Sequence, residues 1–366
     1  MPSIISVSTF NPPYTLDQET TTEFARELFS ESFQDIDRLL KVFKNGQIDE
    51  RHFAVPIKWF ETEHSLQEKN DLYIELATTF CGKAIKKCLS STNEFLNEEV
   101  AVSEIDAIVL VSSSGMSTPS LDARIMNEMS FSPHTKRIPL WGLGCAGGAA
   151  GISRANEYCR AFPEENVLVV CVELCSLTFQ RNDRSKSNLV GTSLFADGIA
   201  CALVTGDESS LSMKIDKPTR PTVVSSQSTL MPYSEDVMGW EVKDSGLHVV
   251  FSRDIPIIIK EWLEPNVRDF LDQNRMTLGQ LSSFIAHPGG KKVLDAYVEA
   301  LHIEEGMTNV SKEILRKHGN MSSPTVLYVL EQIMLEEHEE NEYGLMAALG
   351  PGFSSELVLL TWKGVH

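Results

Sequence analysis

The sequence predicts an α/β fold built from two similar halves, and three observations carry that prediction. The runs "IDAIVLVSSSG" (105–115), "ENVLVVCVELC" (165–175) and "GIACALVTG" (198–206) are short, apolar and rich in Val and Ile, as strands buried on both faces are. Before them, residues 17–100 read as helices with charged outer faces, among them "TTTEFARELF" and "LYIELATTFCGKAIKKCL", whose apolar residues fall at helical spacing. The order then recurs: "LSSFIAHPGG" (281–290) reads as a strand running into a Gly turn, the next helix places Val293, Tyr297, Ala300 and Leu301 on one face, and "GLMAALG" and "ELVLLTW" close the chain as paired strands.

Two helix starts sharpen the comparison of the halves. "GLGCAGGAAG" opens a helix in the first half and "HGNMSSPTVLYVL" opens its counterpart in the second, so Cys145 and Asn320 are expected at equivalent places. Ser323 and Pro324 suit the N-cap and first helical position, and Val326, Val329, Leu330, Ile333 and Met334 form an apolar stripe. The polar stretch "DESSLSMKIDKPTRP" (207–221) marks the boundary, giving expected halves of 1–215 and 216–366.

With 32 Lys plus Arg against 51 Asp plus Glu, the formal charge is 32 − 51 = −19, which argues against nucleic acid or anionic lipid as a general partner. Any anionic ligand then needs a local basic patch. The N-terminal residues lack a basic segment followed by a long apolar one, and no run of about 18 apolar residues occurs, so the expectation is a cytoplasmic protein without a membrane span. The seven cysteines, at 81, 88, 145, 159, 171, 175 and 201, show no paired CxxC spacing and are expected to be free thiols. "CVELC" lies in a strand-like run that should put Cys171 and Cys175 on one face; no second Cys or His pair follows, so no metal site is expected.

A thiol at a helix N-terminus meets unpaired N–H groups and the positive end of the helix dipole, which favour thiolate. Gly144, Ala146, Gly147 and Gly148 would let a bulky substrate approach the Cys145 sulfur; equally, they could serve only to pack a helix tightly against its neighbour. His287, at the end of an apolar strand before a tight turn, can project into a cleft or be a hydrogen-bonded structural residue, and Asn320 alone could be a cap. Together the three supply a nucleophile, a base and a neutral donor. A His and an uncharged Asn aimed at one oxygen suit a developing enolate and hence carbon–carbon bond formation.

These segments, with "LVGTSLFADGIACALV" (189–204) and "ALGPG" (348–352), closely resemble the active-site segments of type III polyketide synthases, the chalcone-synthase-like branch of the thiolase superfamily. "GWEVKDSGL" (239–247) and "TPSLDARIMNE" (118–128) are most similar to bacterial, Bacillus-type alkylpyrone synthases. The resemblance implies a thiolase-like five-layered αβαβα fold, a homodimer, and coenzyme A thioesters as substrates with no further cofactor. It implies that Cys145 carries the acyl chain while His287 and Asn320 hold the enolate formed from malonyl-CoA. His287 as imidazolium would then keep Cys145 ionised. Phe195 matches the family's gatekeeper aromatic, or else is a core Phe; Val249 stands where plant members carry a second gatekeeper Phe. Further pocket positions carried over are Ser113, Thr118, Glu173, Cys175, Thr178, Ser322, Gly350, Pro351 and Gly352. Arg38, Lys41 and Lys44 match the coenzyme A-binding basic segment and, at their spacing, lie near one helix face. "GGKK" departs from plant members and leaves Lys291 and Lys292 without a role.

Mostly small pocket residues leave apolar volume for an alkyl chain, so a medium or long fatty acyl-CoA starter and an alkylpyrone product are expected. The nearest alternative is a ketoacyl synthase III-like starter enzyme, which shares Cys, His and Asn but takes malonyl from a carrier protein. A Cys–His–Asn hydrolase and a catalytically dead scaffold are the more distant ones.

Overall fold

A computed structural model describes residues 1–30, 33, 35–252 and 254–365. Nine strands form one mixed sheet: β1 (Ser3–Phe10), β2 (Ala107–Ser112), β3 (Lys136–Trp141), β4 (Asn166–Leu174), β5 (Asp197–Thr205), β6 (Thr219–Leu230), β7 (Ser283–Ala286), β8 (Tyr343–Gly350) and β9 (Ser354–Gly364). Their order is β7-β8-β9-β6-β1-β5-β4-β2-β3. Outward from the centre, β1-β5-β4-β2 pair antiparallel, antiparallel, parallel, and β6-β9-β8-β7 repeat that series. The two half-sheets meet through one pair, Ser3 with Thr222.

Helices α1 (Leu66–Leu89), α2 (Gly147–Ala161), α3 (Lys186–Leu194), α4 (Glu264–Gln273), α5 (Lys291–Leu301) and α6 (Thr325–Leu335) dress this frame. α2 and α6 touch each other and strands of both half-sheets, α1 covers the outer face of the first half, and α4 and α5 cover that of the second. The five layers follow. Strand periodicity makes them possible, because Met346, Ala348, Val358 and Leu360 face the central helices while Leu345, Ala347, Leu357 and Leu359 face the outer ones. Every residue of β4 and β5 is buried, which explains their unbroken apolar texture.

Three local expectations need correction. Residues 17–100 are not all helical or loop, since Glu50–Phe53 pairs antiparallel with Tyr14–Asp17. Cys175 does not share a strand with Cys171: β4 ends at Leu174 and Cys175 opens a 3-10 turn. Ser323 does not cap α6, because its hydroxyl is given to Glu173 at 2.9 Å and the Thr325 hydroxyl bonds to the Ser322 carbonyl instead.

Among the described residues no helix is long and apolar enough to cross a membrane, and no group of three or more candidate ligands could hold a metal ion.

Candidate active site

Cys145 sits in a 3-10 turn, Gly144–Ala146, that leads β3 into α2. Gly144 has φ +46°, and a Cβ there would stand 2.7 Å from Pro351. A Cβ on Gly148 would lie 2.4 Å from the Ser323 carbonyl oxygen, so the small residues let α2 approach the head of α6. The packing reading of the Gly/Ala run therefore holds: close packing is what brings Cys145 to the second half.

There the Cys145 thiol lies 3.9 Å from Oδ1 of Asn320. Oδ1 also accepts from the Ser322 amide at 2.8 Å, and Nδ2 donates to the Gly289 carbonyl at 3.1 Å, which fixes the orientation of the carboxamide. One Nδ2 hydrogen has no acceptor among the described residues. Asn320 is itself clamped by the backbone, its N–H donating to Leu194 and its carbonyl accepting from Ala196, each at 2.9 Å. His287 follows β7 directly. Its amide donates to Ala347 at 2.8 Å, extending the parallel ladder by one residue, and the Gly289 amide closes the turn behind it at 3.0 Å. The ring is buried and neither nitrogen has a hydrogen-bond partner among the described residues.

Cys145, His287 and Asn320 line one cavity of about 450 Å³. Val190, Leu194, Phe251, Ile255, Val293 and Leu349 supply apolar wall, and among the described residues Lys186, Lys291 and Lys292 are its cations. Burial raises the Cys145 thiol to about 11, hydrogen bonding with Ser322 and Asn320 offsetting part of the rise and Glu173 adding to it. Burial draws His287 down to about 3. Both shifts have desolvation as their largest cause, which opposes the ionised sulfur expected at a helix N-terminus.

Phe195 lies outside that cavity and lines a second, narrow one of about 60 Å³, together with Cys175, Thr178 and Val249. Phe24, Phe53, Phe60 and Phe179 add four more aromatic rings to its lining. Phe195 packs on Phe251 and Trp240, each with centroids at 5.6 Å, and Phe251 reaches the larger cavity. The buried Arg51 holds the Thr192 and Phe195 carbonyls at 2.6 and 3.0 Å, locking the backbone of this aromatic partition.

Several expected pocket residues prove to be supports. The buried Glu173 carboxylate accepts from the Ser113 amide at 3.0 Å and the Ser323 hydroxyl at 2.9 Å, while the Ser113 hydroxyl accepts from the Gly144 amide at 3.0 Å. Neither Glu173 nor Ser113 lines the cavity; they set the turn that carries Cys145. Ser322, at φ +59°, serves Asn320. Gly350 and Pro351 pack beneath the Cys145 turn, where a Cβ on Gly350 would meet the Leu143 carbonyl at 2.5 Å, and Gly352, at φ +80°, makes the bend into β9. Thr118 is exposed on the surface near Met116 and lines neither cavity.

The basic segment is also corrected. Arg38 and Lys41 fall in two short helices, Ile36–Leu39 and Lys41–Gly46, instead of on one helical face. Val42, Asn45 and Gly46 face the cavity, whereas Lys44 borders a surface hollow with Glu19, Glu23 and Asp49. Tyr297, Phe251, Trp240 and Lys186 were not singled out from the sequence. Tyr297 reads there as core because it shares a helical stripe with Ala300 and Leu301, and only the fold turns it and Val293 toward the cavity.

The chain matches the family model for the chalcone and stilbene synthases, with the N-terminal domain over residues 2–208 and the C-terminal domain over 222–363. It is 52% identical to a putative chalcone synthase of Bacillus subtilis, covering 99% of both chains. It is 29% identical to an α-pyrone synthesis polyketide synthase-like protein of Mycobacterium tuberculosis, over 97% of this chain and 90% of that one. The crystal structure of 1,3,6,8-tetrahydroxynaphthalene synthase from Streptomyces coelicolor, a bacterial type III polyketide synthase, superposes with a TM-score of 0.90 at 30% identity over 99% of each chain.

Proposed function

The chain belongs to the chalcone and stilbene synthase family, the type III polyketide synthases, and from that premise we propose that it extends a fatty acyl-CoA with malonyl-CoA to alkylpyrones. The observation that supports this most is the convergence of Cys145, His287 and Asn320 on a cavity with apolar walls, beside a narrow aromatic-lined space behind Phe195. The assignment to this family removes the ketoacyl synthase III-like alternative.

In this reading Cys145 attacks the acyl thioester while neutral His287 takes the thiol proton and returns it to the departing CoA thiolate, leaving the acyl group on sulfur. A neutral imidazole suits this step, since only that form accepts a proton. Malonyl-CoA then loses carbon dioxide, and the enolate oxygen accepts hydrogen bonds from His287 and the free Nδ2 hydrogen of Asn320. The enolate carbon attacks the acyl carbonyl, expels the Cys145 thiolate and lengthens the chain by two carbons. Lys186 and Lys292, both exposed and at the cavity, would meet the coenzyme A phosphates in place of Arg38, Lys41 and Lys44. Exposed Met116 and Trp141, near Thr118, support a homodimer contact on that side of the molecule.

Incubation with C8 to C18 acyl-CoA thioesters plus malonyl-CoA, read by mass spectrometry, should give alkylpyrones. Products from malonyl-CoA alone would indicate a naphthalene-type synthase, and preference for an aromatic starter would contradict the fatty-acyl assignment.

A further inference from the structure

Tyr297 lies on α5 with its side chain fully buried, and its hydroxyl has no hydrogen-bond partner among the described residues. The ring is held edge-on by Phe284, with centroids 5.5 Å apart and planes at 83°. It lines the same cavity as Cys145, His287 and Asn320, where both nitrogens of His287 are also buried and unpartnered. A phenylalanine would fill this helix position without the free-energy cost of an unpaired buried hydroxyl. Hydroxyl and imidazole together leave unmatched hydrogen-bonding capacity at one wall of a chamber that receives an oxygen-rich substrate.

Resting on the malonyl-CoA reading above, we propose that Tyr297 is a further catalytic residue, donating its hydroxyl hydrogen to the thioester oxygen of the extender unit as decarboxylation turns it into an enolate. Burial keeps the phenol protonated, and burial keeps His287 uncharged. His287 and Asn320 are then both neutral donors, which makes an additional donor valuable. The lysines of the cavity do not fill that role, since Lys186 and Lys292 reach solvent and Lys291 pairs with Asp295 at 2.7 Å.

The test is Tyr297→Phe, with Tyr297→Met as a second donor-free variant should the first fold poorly. The expected result is a fall in kcat for malonyl-CoA decarboxylation on the order of 100-fold, the cost of losing one oxyanion donor. KM should change less than threefold, and Tm should stay level or rise because an unpaired buried hydroxyl has been removed. A folded variant of either kind with decarboxylation within twofold of the parent overturns the proposal and leaves the synthase reading standing. A parent protein that does not decarboxylate malonyl-CoA overturns both.

Discussion

The Ser323 hydroxyl, at the head of the second-half helix α6, donates to Oε1 of Glu173, at the end of the first-half strand β4, across 2.9 Å. Through Ser113 and Gly144 the same carboxylate governs the Cys145 turn, so one buried acid joins the two halves beneath Cys145.

That acid should make stability fall with pH. Burial lifts Glu173 from 4.5 to about 7 against the hydrogen bonds it accepts. The folded state therefore keeps this proton up to about 7 whereas the unfolded chain releases it near 4.5, so its contribution is full below 4.5 and is lost between 4.5 and 7. At about 1.4 kcal/mol per unit the loss is about 3 kcal/mol. Gln fits the site, because its oxygen can serve the Ser113 amide while the Ser323 hydroxyl turns to accept. Urea unfolding at pH 5 and pH 8 should show a smaller difference in Glu173→Gln than in the parent; an unchanged difference would falsify the assignment.

Alkylation should report the neutral resting pair. Cys145 is the one cysteine not fully buried, so iodoacetamide labels it first. With its thiol raised to about 11, the rate should climb about tenfold per pH unit from 7 to 10. A plateau between pH 5 and 8, followed by peptide mass mapping to Cys145, would instead reveal a thiolate–imidazolium pair.

The fold was legible because buried strands and helices leave strong patterns, and the duplicated order of runs survives in the matching series β1-β5-β4-β2 and β6-β9-β8-β7. Cys145, His287 and Asn320 stand in distinctive local sequences, so their convergence could be anticipated. Glu173 could not be told from a wall residue, because whether a carboxylate faces a cavity or lies beneath it depends on the partners that Ser113 and Ser323 offer. Helix periodicity likewise places Tyr297 and Leu301 on one stripe but does not say that a cavity begins between them. The placement of the basic segment was not legible for a similar reason: the short helix Lys41–Gly46 turns Asn45 inward and Lys44 away, a rotation that spacing alone does not fix.

Charge at the cavity mouth gives a discriminating pair of variants. Lys186→Glu with Lys292→Glu should raise KM for malonyl-CoA roughly tenfold, about 1 kcal/mol or less per exposed phosphate contact plus the added repulsion. The increase should shrink at 0.5 M salt, where screening reaches only a few ångströms, roughly. Lys41→Ala with Lys44→Ala should leave KM unchanged. The reverse ranking would return the phosphates to the segment expected from the sequence.

The narrow space behind Phe195 sets the last expectation. A Cβ on Gly191 would stand 3.3 Å from Val249 Cγ1 and 3.5 Å from Phe195 Cδ2, so these three residues share one constriction. If the alkyl tail of the starter threads it, Val249→Phe should obstruct the route while leaving Cys145, His287 and Asn320 untouched. Each methylene denied burial forfeits about 0.8 kcal/mol, roughly fourfold in kcat/KM, so a chain shortened by four methylenes loses on the order of 200-fold. The preferred starter should therefore move from long toward short chains, with malonyl-CoA decarboxylation retained. An unaltered chain-length profile in this variant means that the tail takes another path out of the 450 Å³ cavity, past Leu194 and Ile255.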